Sequence, residues 1–175
     1  MSTAHPIRMT TLSDLPALET LYASAFPDED LMPLVRRLLT EVPDIVSLVA
    51  ESAVEGPTAH IAITPCLTEG PHHAALLGPL CVAPAHQRQG RGAALIRAGI
   101  ERLDAERVKC LLVLGDPAYY GRLGFQPETR VAPPFPLPEE WRGAWQSLPI
   151  GTPAEPAAGT LRPPPPWMSA ALWAP

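Results

Sequence analysis

Leu12, Leu15, Leu18, Leu21, Tyr22, Ala25 and Phe26 recur at intervals of three and four, which puts them on one face of a helix. Thr11, followed three residues on by Asp14, is a capping pair for its start, and Pro16 fits a first turn, where no intrahelical N–H is lost. A second, shorter helix is predicted over Leu31 to Leu39, after the acidic turn Asp28-Glu29-Asp30 and before Pro43. Ahead of both, HPIRMTT reads as a short opening strand. IVSLVAE and TAHIAIT are strand-like on either side of the turn EGP, and HHAALLGPLCV is a further strand, reached through TEGPHH. Three strands with short turns predict an antiparallel meander.

The period changes after Gly92. Leu95, Ile96, Gly99, Ile100 and Leu103 face one way, while Arg97, Glu101 and Arg102 face another, the pattern of an amphipathic helix. KCLLVLG follows as a buried strand. Strand, helix and strand from Leu76 to Gly115 therefore predict one crossover unit whose two strands run parallel. Beyond Phe125 the texture shifts, because thirteen of the 24 prolines and all four tryptophans lie there. Proline density alone suggests a flexible tail. Trp141, Trp145, Trp167 and Trp173 argue against it, since such rings left in water would make an apolar patch. The expectation is a single α/β domain, a mixed sheet with helices on both faces. Residues 1–128 form its core, and 129–175 form an ordered, loop-rich extension packed on it.

Composition narrows the function classes. With 46% hydrophobic and 18% charged residues in 175, the chain can build a core and is not disordered. A net charge of −5 supplies no global field for nucleic acid, so any anion site must be local. Lys109 is the one lysine beside twelve arginines, which makes local cation sites guanidinium forks. Cys66, Cys81 and Cys110 are widely spaced and form no CxxC pair; Cys81 and Cys110 read as small buried hydrophobes. His60, His72, His73 and His86 lack metal-ligand spacing, and the adjacent pair reads as a solvated turn, so no metal is expected. No secretory signal is visible, and the apolar run ALLGPLCVAPA is too short for a membrane span. A cytoplasmic protein with no membrane partner is expected.

One stretch carries candidate chemistry: VAPAHQRQGRGAALI, from Val82 to Ile96. A turn between a strand end and a helix start offers unpaired N–H groups at the positive end of a helix dipole, and glycine lets the backbone approach a ligand. Arg88 and Arg91 add charge for phosphate oxygens, or are solvated while the main chain does the binding. A Walker loop is excluded, because GxxxxGK[ST] does not occur. A dinucleotide fingerprint is disfavoured, because the third glycine of GxGxxG is missing and the preceding strand sits in a meander. Gln-x-x-Gly-x-Gly after Val-x-Pro fits at Val82, Pro84, Gln87, Gly90 and Gly92.

VAPAHQRQGRGAALI resembles the acyl-CoA pyrophosphate loop of the GCN5-related N-acetyltransferase (GNAT) superfamily. PAYYGRLGF, from Pro117 to Phe125, resembles its later Tyr-x-x-x-Gly-Phe motif, one helix and one strand further on. LGDPAYYGRLGF and AGTLRPPPPW also resemble a bacterial group of predicted small acetyltransferases of unknown substrate. The likeness spans residues 5 to 128 as fold and 82 to 125 as motif. It implies a mostly antiparallel sheet whose central parallel pair, ending near Val82 and Gly115, splays around the pantetheine arm. It further implies that Leu80, Cys81 and Val82 pair with that arm, and that Gln87, Arg88, Gln89, Gly90, Arg91, Gly92 and Ala93 hold the pyrophosphate.

The likeness makes Tyr120 the general acid that protonates the departing thiolate, with Tyr119 as packing. Asp116 lies where relatives often carry an asparagine contacting the coenzyme. The Asp-Pro order equally suits a helix N-cap, the reading the residues favour. No base stands out: GPLCVAP carries no carboxylate, Glu51 ends a strand that faces the cleft in one reading, and water can serve. Phe26, Asp28 and Glu29 lie in a region that lines the acceptor site in relatives. The acidic residues also suit a helix N-terminus. The implied function is acetyl transfer from acetyl-CoA to a primary amine of a small molecule or peptide, by direct attack in a ternary complex. Two alternatives remain at this point, a non-catalytic acyl-CoA-binding sensor and a nucleotide-binding module. The extension either walls the acceptor site or forms a homodimer surface.

Overall fold

The meander strands form on short apolar runs, such as VSLVA, AHIAI and AALL, which are buried along nearly their whole length. The computed structural model describes residues 5–151 and 155–175. It divides into two compact units: residues up to Ile63 with Gly78–Arg102, and Thr64–Leu77 with Leu103–Pro175.

In the first unit, β1 (Ile7–Met9) is followed by helices α1 (Leu15–Ala25) and α2 (Met32–Glu41), then β2 (Val46–Ser52). β3 (Gly56–Glu69) begins here and β4 (His73–Val82) ends here, before α3 (Arg91–Ile100). β1 and β2 are antiparallel, with Ile7 opposite Ala50, and β2 and β3 likewise, with Leu48 opposite Ile61. α3 packs against β2. α1 and α2 close over Leu18, Leu21, Tyr22, Met32 and Val35, packed with Val49 and Cys81. Each such leucine contributes about 1.5–3 kcal/mol by leaving water.

Asp14 accepts from the Thr11 N–H at 2.8 Å, as the capping pair predicts. A single 3-10 turn, Leu12–Asp14, precedes α1. Arg8 grips the same carboxylate at 2.7 and 2.8 Å, and reaches Glu51 at 2.5 Å. That guanidinium holds the Asp14 carboxyl down at about 2.

A buried polar row ties α1 to the sheet. Ser47 Oγ donates to Thr10 Oγ1 at 2.8 Å and lies 2.8 Å from His60 Nε2, while His60 Nδ1 lies 2.7 Å from the Tyr22 hydroxyl. Because Ser47 spends its proton on Thr10, the ring must donate through Nε2 and accept from Tyr22 through Nδ1. His60 is fully buried, and burial pushes its pKa down to about 3, so the ring is neutral.

The second unit carries β5 (Val108–Leu114), α4 (Pro117–Tyr120), β6 (Gln126–Pro127), β7 (Val131–Ala132), β8 (Trp145–Pro149) and β9 (Ala158–Arg162). β4 and β5 run parallel, from His73 opposite Val108 to Leu77 opposite Val113, as the crossover reading requires. β8 lies antiparallel on β5 and β6 on β8, so the strand order within this unit is β3-β4-β5-β8-β6. β9 pairs with the end of β3, and β7 with β9. The sheet is therefore mixed and mostly antiparallel.

Three details differ from the sequence reading. β3 runs five residues past Thr64, because Leu67 and Glu69 find partners in β9 despite Pro65. His73 starts β4 half-buried, its N–H bonded to Arg107 O, rather than solvated in the turn. The segment beyond Phe125 supplies four strands where loops were expected. Its order comes from its tryptophans, whose indole N–H groups are all spent where the rings are buried. Trp145 donates to Val131 O at 2.8 Å, Trp167 to Thr64 Oγ1 at 3.1 Å and Trp173 to Trp167 O at 3.0 Å.

Candidate functional site

Pro84–His86 forms one 3-10 turn after β4, and Gln87 returns to extended backbone. Gln87 Nε2 donates back to Val82 O at 3.1 Å and Gln89 Nε2 to Ala85 O at 3.3 Å, so the loop folds on itself. Arg88 has φ 60° and Gly90 φ 78°, both left-handed. Nothing lies within 4 Å of where a Gly90 Cβ would sit, so this glycine is required by its dihedral rather than by crowding. Gly90 caps α3, and the first helical bond runs from Ala94 N–H to Gly90 O at 3.0 Å. The N–H groups of Arg91, Gly92 and Ala93 precede that bond and have no intrahelical acceptor. Leu80, Cys81 and Val82 lie on β4 just before this turn.

The two arginines part company. Arg88 is exposed. Arg91 is 5% exposed and turns inward, bonding Thr58 Oγ1 and, at 2.8 Å, His5 Nε2. Its Nε has no partner among the described residues. Arg91 is thus not a solvated surface charge but a buried cation at the first turn of α3. The sequence reading assigns both arginines the same role, because they carry the same charge in one short loop.

Phe26, Asp28 and Glu29 line a depression of about 740 Å³, together with Tyr22, Asp30 and Met32. Asp30 Oδ1 accepts from Met32 N–H at 3.2 Å, so the acidic turn does cap α2, through one residue. Asp28 and Glu29 stay exposed. Glu51 is not part of this lining and its carboxylate is engaged by Arg8.

In the second unit, Asp116 Oδ1 accepts from Ala118 N–H at 2.9 Å, the N-cap that its place before Pro117 suggested. Tyr120 is 9% exposed, with Tyr119 edge-on at 4.9 Å and Phe125 at 5.4 Å. Burial, then the neighbouring Tyr119, pushes its hydroxyl well above the ordinary tyrosine range. Burial also pushes the Cys81 and Cys110 thiols up to about 12, and Cys66 higher still. No group of three His, Cys, Asp or Glu among the described residues is placed to hold a metal, and none of the described helices is long and apolar enough to cross a membrane.

Residues 43–127 match the family model for the acetyltransferase (GNAT) domain. The uncharacterized N-acetyltransferase YjhQ of Escherichia coli (strain K12) is 34% identical over 149 residues, 80% of this chain and 82% of YjhQ. Among solved structures, the GNAT family N-acetyltransferase YhbS of Escherichia coli, in complex with CoA, matches with a TM-score of 0.78. That match has 22% identity and covers 90% of this chain and 88% of YhbS. A GNAT family acetyltransferase from Brucella melitensis, in complex with acetyl-CoA, matches at 0.63 and 26% identity over 90% of this chain and 94% of its own.

Proposed function

The chain belongs to the GCN5-related N-acetyltransferase family of acyl-CoA-dependent N-acyltransferases, and from that premise we propose that it moves an acetyl group from acetyl-CoA to a primary amine of a small molecule or peptide. The observation that carries this reading is the turn before α3. Left-handed backbone at Arg88 and Gly90 opens a helix whose first N–H groups have no intrahelical acceptor, at the positive end of its dipole, which suits a pyrophosphate. Arg91 supports it. A buried guanidinium bonded to a hydroxyl and an imidazole, with no carboxylate among its described partners, lacks the counter-charge that buried cations ordinarily keep. An anion at the head of α3 supplies one. Gln87, Arg88, Gln89 and Gly90 shape that cradle, and the main chain of Leu80, Cys81 and Val82 pairs with the pantetheine arm.

The acceptor nitrogen attacks the thioester carbonyl, so that a C–N bond forms and the C–S bond breaks. Backbone N–H near Val82 takes up the oxyanion charge. Tyr120 serves as the acid. Its hydroxyl stays protonated at neutral pH and passes its proton to the sulfur as thiolate charge grows. The amine's own proton leaves to water, since Glu51 is already engaged by Arg8. Two buried thiols and the half-buried Cys110, all with raised pKa values, support direct attack in a ternary complex over an acyl-cysteine intermediate. Exposed Asp28 and Glu29 beside Phe26 support a cationic acceptor entering at that depression.

Thermal unfolding with acetyl-CoA tests the premise, because ligand at ~100 times its dissociation constant adds about 2.7 kcal/mol. An unshifted midpoint would sink the coenzyme reading. Thiol release is then followed across a panel of primary amines. Tyr120→Phe is expected to slow turnover about 10²–10⁴-fold. An unchanged rate removes the general-acid role, and coenzyme binding with no turnover on any amine moves the protein to the sensor class.

A further inference from the structure

We propose that Gly115 and Gln146 are positioning residues for Tyr120: a missing side chain at one and a buried amide at the other set where the Tyr120 ring lies. The inference rests on the general-acid reading of Tyr120 and adds to it the parts that aim the hydroxyl. β5 ends at Leu114, Gly115 follows, and the single turn of α4 folds back, with Tyr120 N–H bonded to Asp116 O at 3.0 Å. This return lays the Tyr120 ring on the Gly115 backbone. A Cβ at residue 115 would stand 2.4 Å from Tyr120 Cε2 and 2.9 Å from Cδ2, closer than real Cβ contacts come.

The backbone at Gly115 is outside the left-handed region, so its dihedrals do not require glycine. The space does. Gly115 is held by β8 and by the residue just before that strand. Its N–H donates to Ala144 O at 2.9 Å, and its carbonyl accepts from Gln146 Nε2 at 3.1 Å. Gln146 is 1% exposed and sits between strands, opposite Val113 of β5 and Pro127 of β6. A buried primary amide is costly unless bonded, and its shorter bond falls on Gly115, the residue under the ring, with Ala144 O a second acceptor at 3.4 Å. Phe125 and Tyr119 complete the walls, and Phe125 N–H bonds Tyr120 O at 3.2 Å. A ring confined on these sides leaves its hydroxyl one place to be.

A double-mutant cycle tests this. Gly115→Ala alone is expected to lower kcat about 10–100-fold, the scale of an ångström-sized misplacement, with the KM for acetyl-CoA within about twofold. In a Tyr120→Phe background the ring, and hence the clash, is unchanged but the proton is gone. There Gly115→Ala should cost the same in unfolding midpoint and nothing further in kcat. Gln146→Met is run through the same cycle and carries the test if Gly115→Ala fails to fold; its expected kcat loss is smaller and again vanishes without the hydroxyl. Equal kcat losses in both backgrounds, or wild-type kcat in both single variants, overturn the inference while leaving a slow Tyr120→Phe and the general-acid reading intact. A Tyr120→Phe variant at wild-type rate overturns that reading and this inference with it.

Discussion

Arg91 and Arg88 stand three residues apart in one loop and carry the same charge, yet one guanidinium is buried and the other exposed. The difference is set by where the first turn of α3 points residue 91, toward Thr58 and His5, which no local pattern encodes. Arg91→Met should therefore act in two ways. Loss of the two charge-assisted bonds costs about 1–3 kcal/mol of stability without ligand, lowering the midpoint by about 2–4 °C per kcal/mol for a chain this long. The shift produced by acetyl-CoA should also shrink, because the unsatisfied cation that favours an anion is gone. Melting curves of both proteins with and without ligand check it. An undiminished ligand shift would separate Arg91 from coenzyme binding. Other residues were legible. Asp116 before Pro117 announced its cap, and Asp14 three after Thr11 announced its own, because both are local pairs.

Helices and strands with clean periods emerged where the apolar spacing placed them: α1, α3, β4 and β5 all agree closely with the pattern. β6, β7, β8 and β9 did not show in the sequence. They have two to five residues each, lie in a proline-rich stretch, and are held by partners distant in the chain rather than by alternation. The row from Tyr22 through His60 and Ser47 to Thr10 was equally hidden, since its members come from four elements or their flanks. It is what fastens α1, and with it the wall bearing Phe26. His60→Leu should leave the buried Tyr22 hydroxyl without its acceptor, at about 1–3 kcal/mol, while Ser47 loses one donor and keeps its bond to Thr10. Adding Tyr22→Phe should cost less than that substitution costs alone. Urea midpoints of the four proteins in the cycle measure the coupling; additive losses would mean that the row is not a unit.

For the molecule as a whole, the same buried groups dictate a stability profile in pH. His60 has its folded pKa depressed to about 3 from 6.5, so its contribution is complete above 6.5 and is lost as pH falls toward 3. Asp14, held near 2 rather than 3.8 by Arg8, adds a loss at the bottom of that range, present above 3.8 and gone as pH falls through 2. Cys81 and Cys110 have folded pKa values raised to about 12 from 9.0, so their contributions hold below 9 and are lost as pH rises through 12. Urea midpoints measured from pH 4 to 10 should show a plateau between about 6.5 and 9 with falling limbs on both sides. His60→Gln should flatten the limb between 6.5 and 4, and an unaltered limb would assign it elsewhere.

The thiols reach beyond stability. A catalyst that releases coenzyme A is most simply followed with a disulfide reagent, and such reagents attack thiolates, of which this fold keeps almost none at assay pH. The folded protein is a quiet background for its own product. Colour developed in the native state counts coenzyme leaving, and three further equivalents appear when denaturant lets the cysteines out.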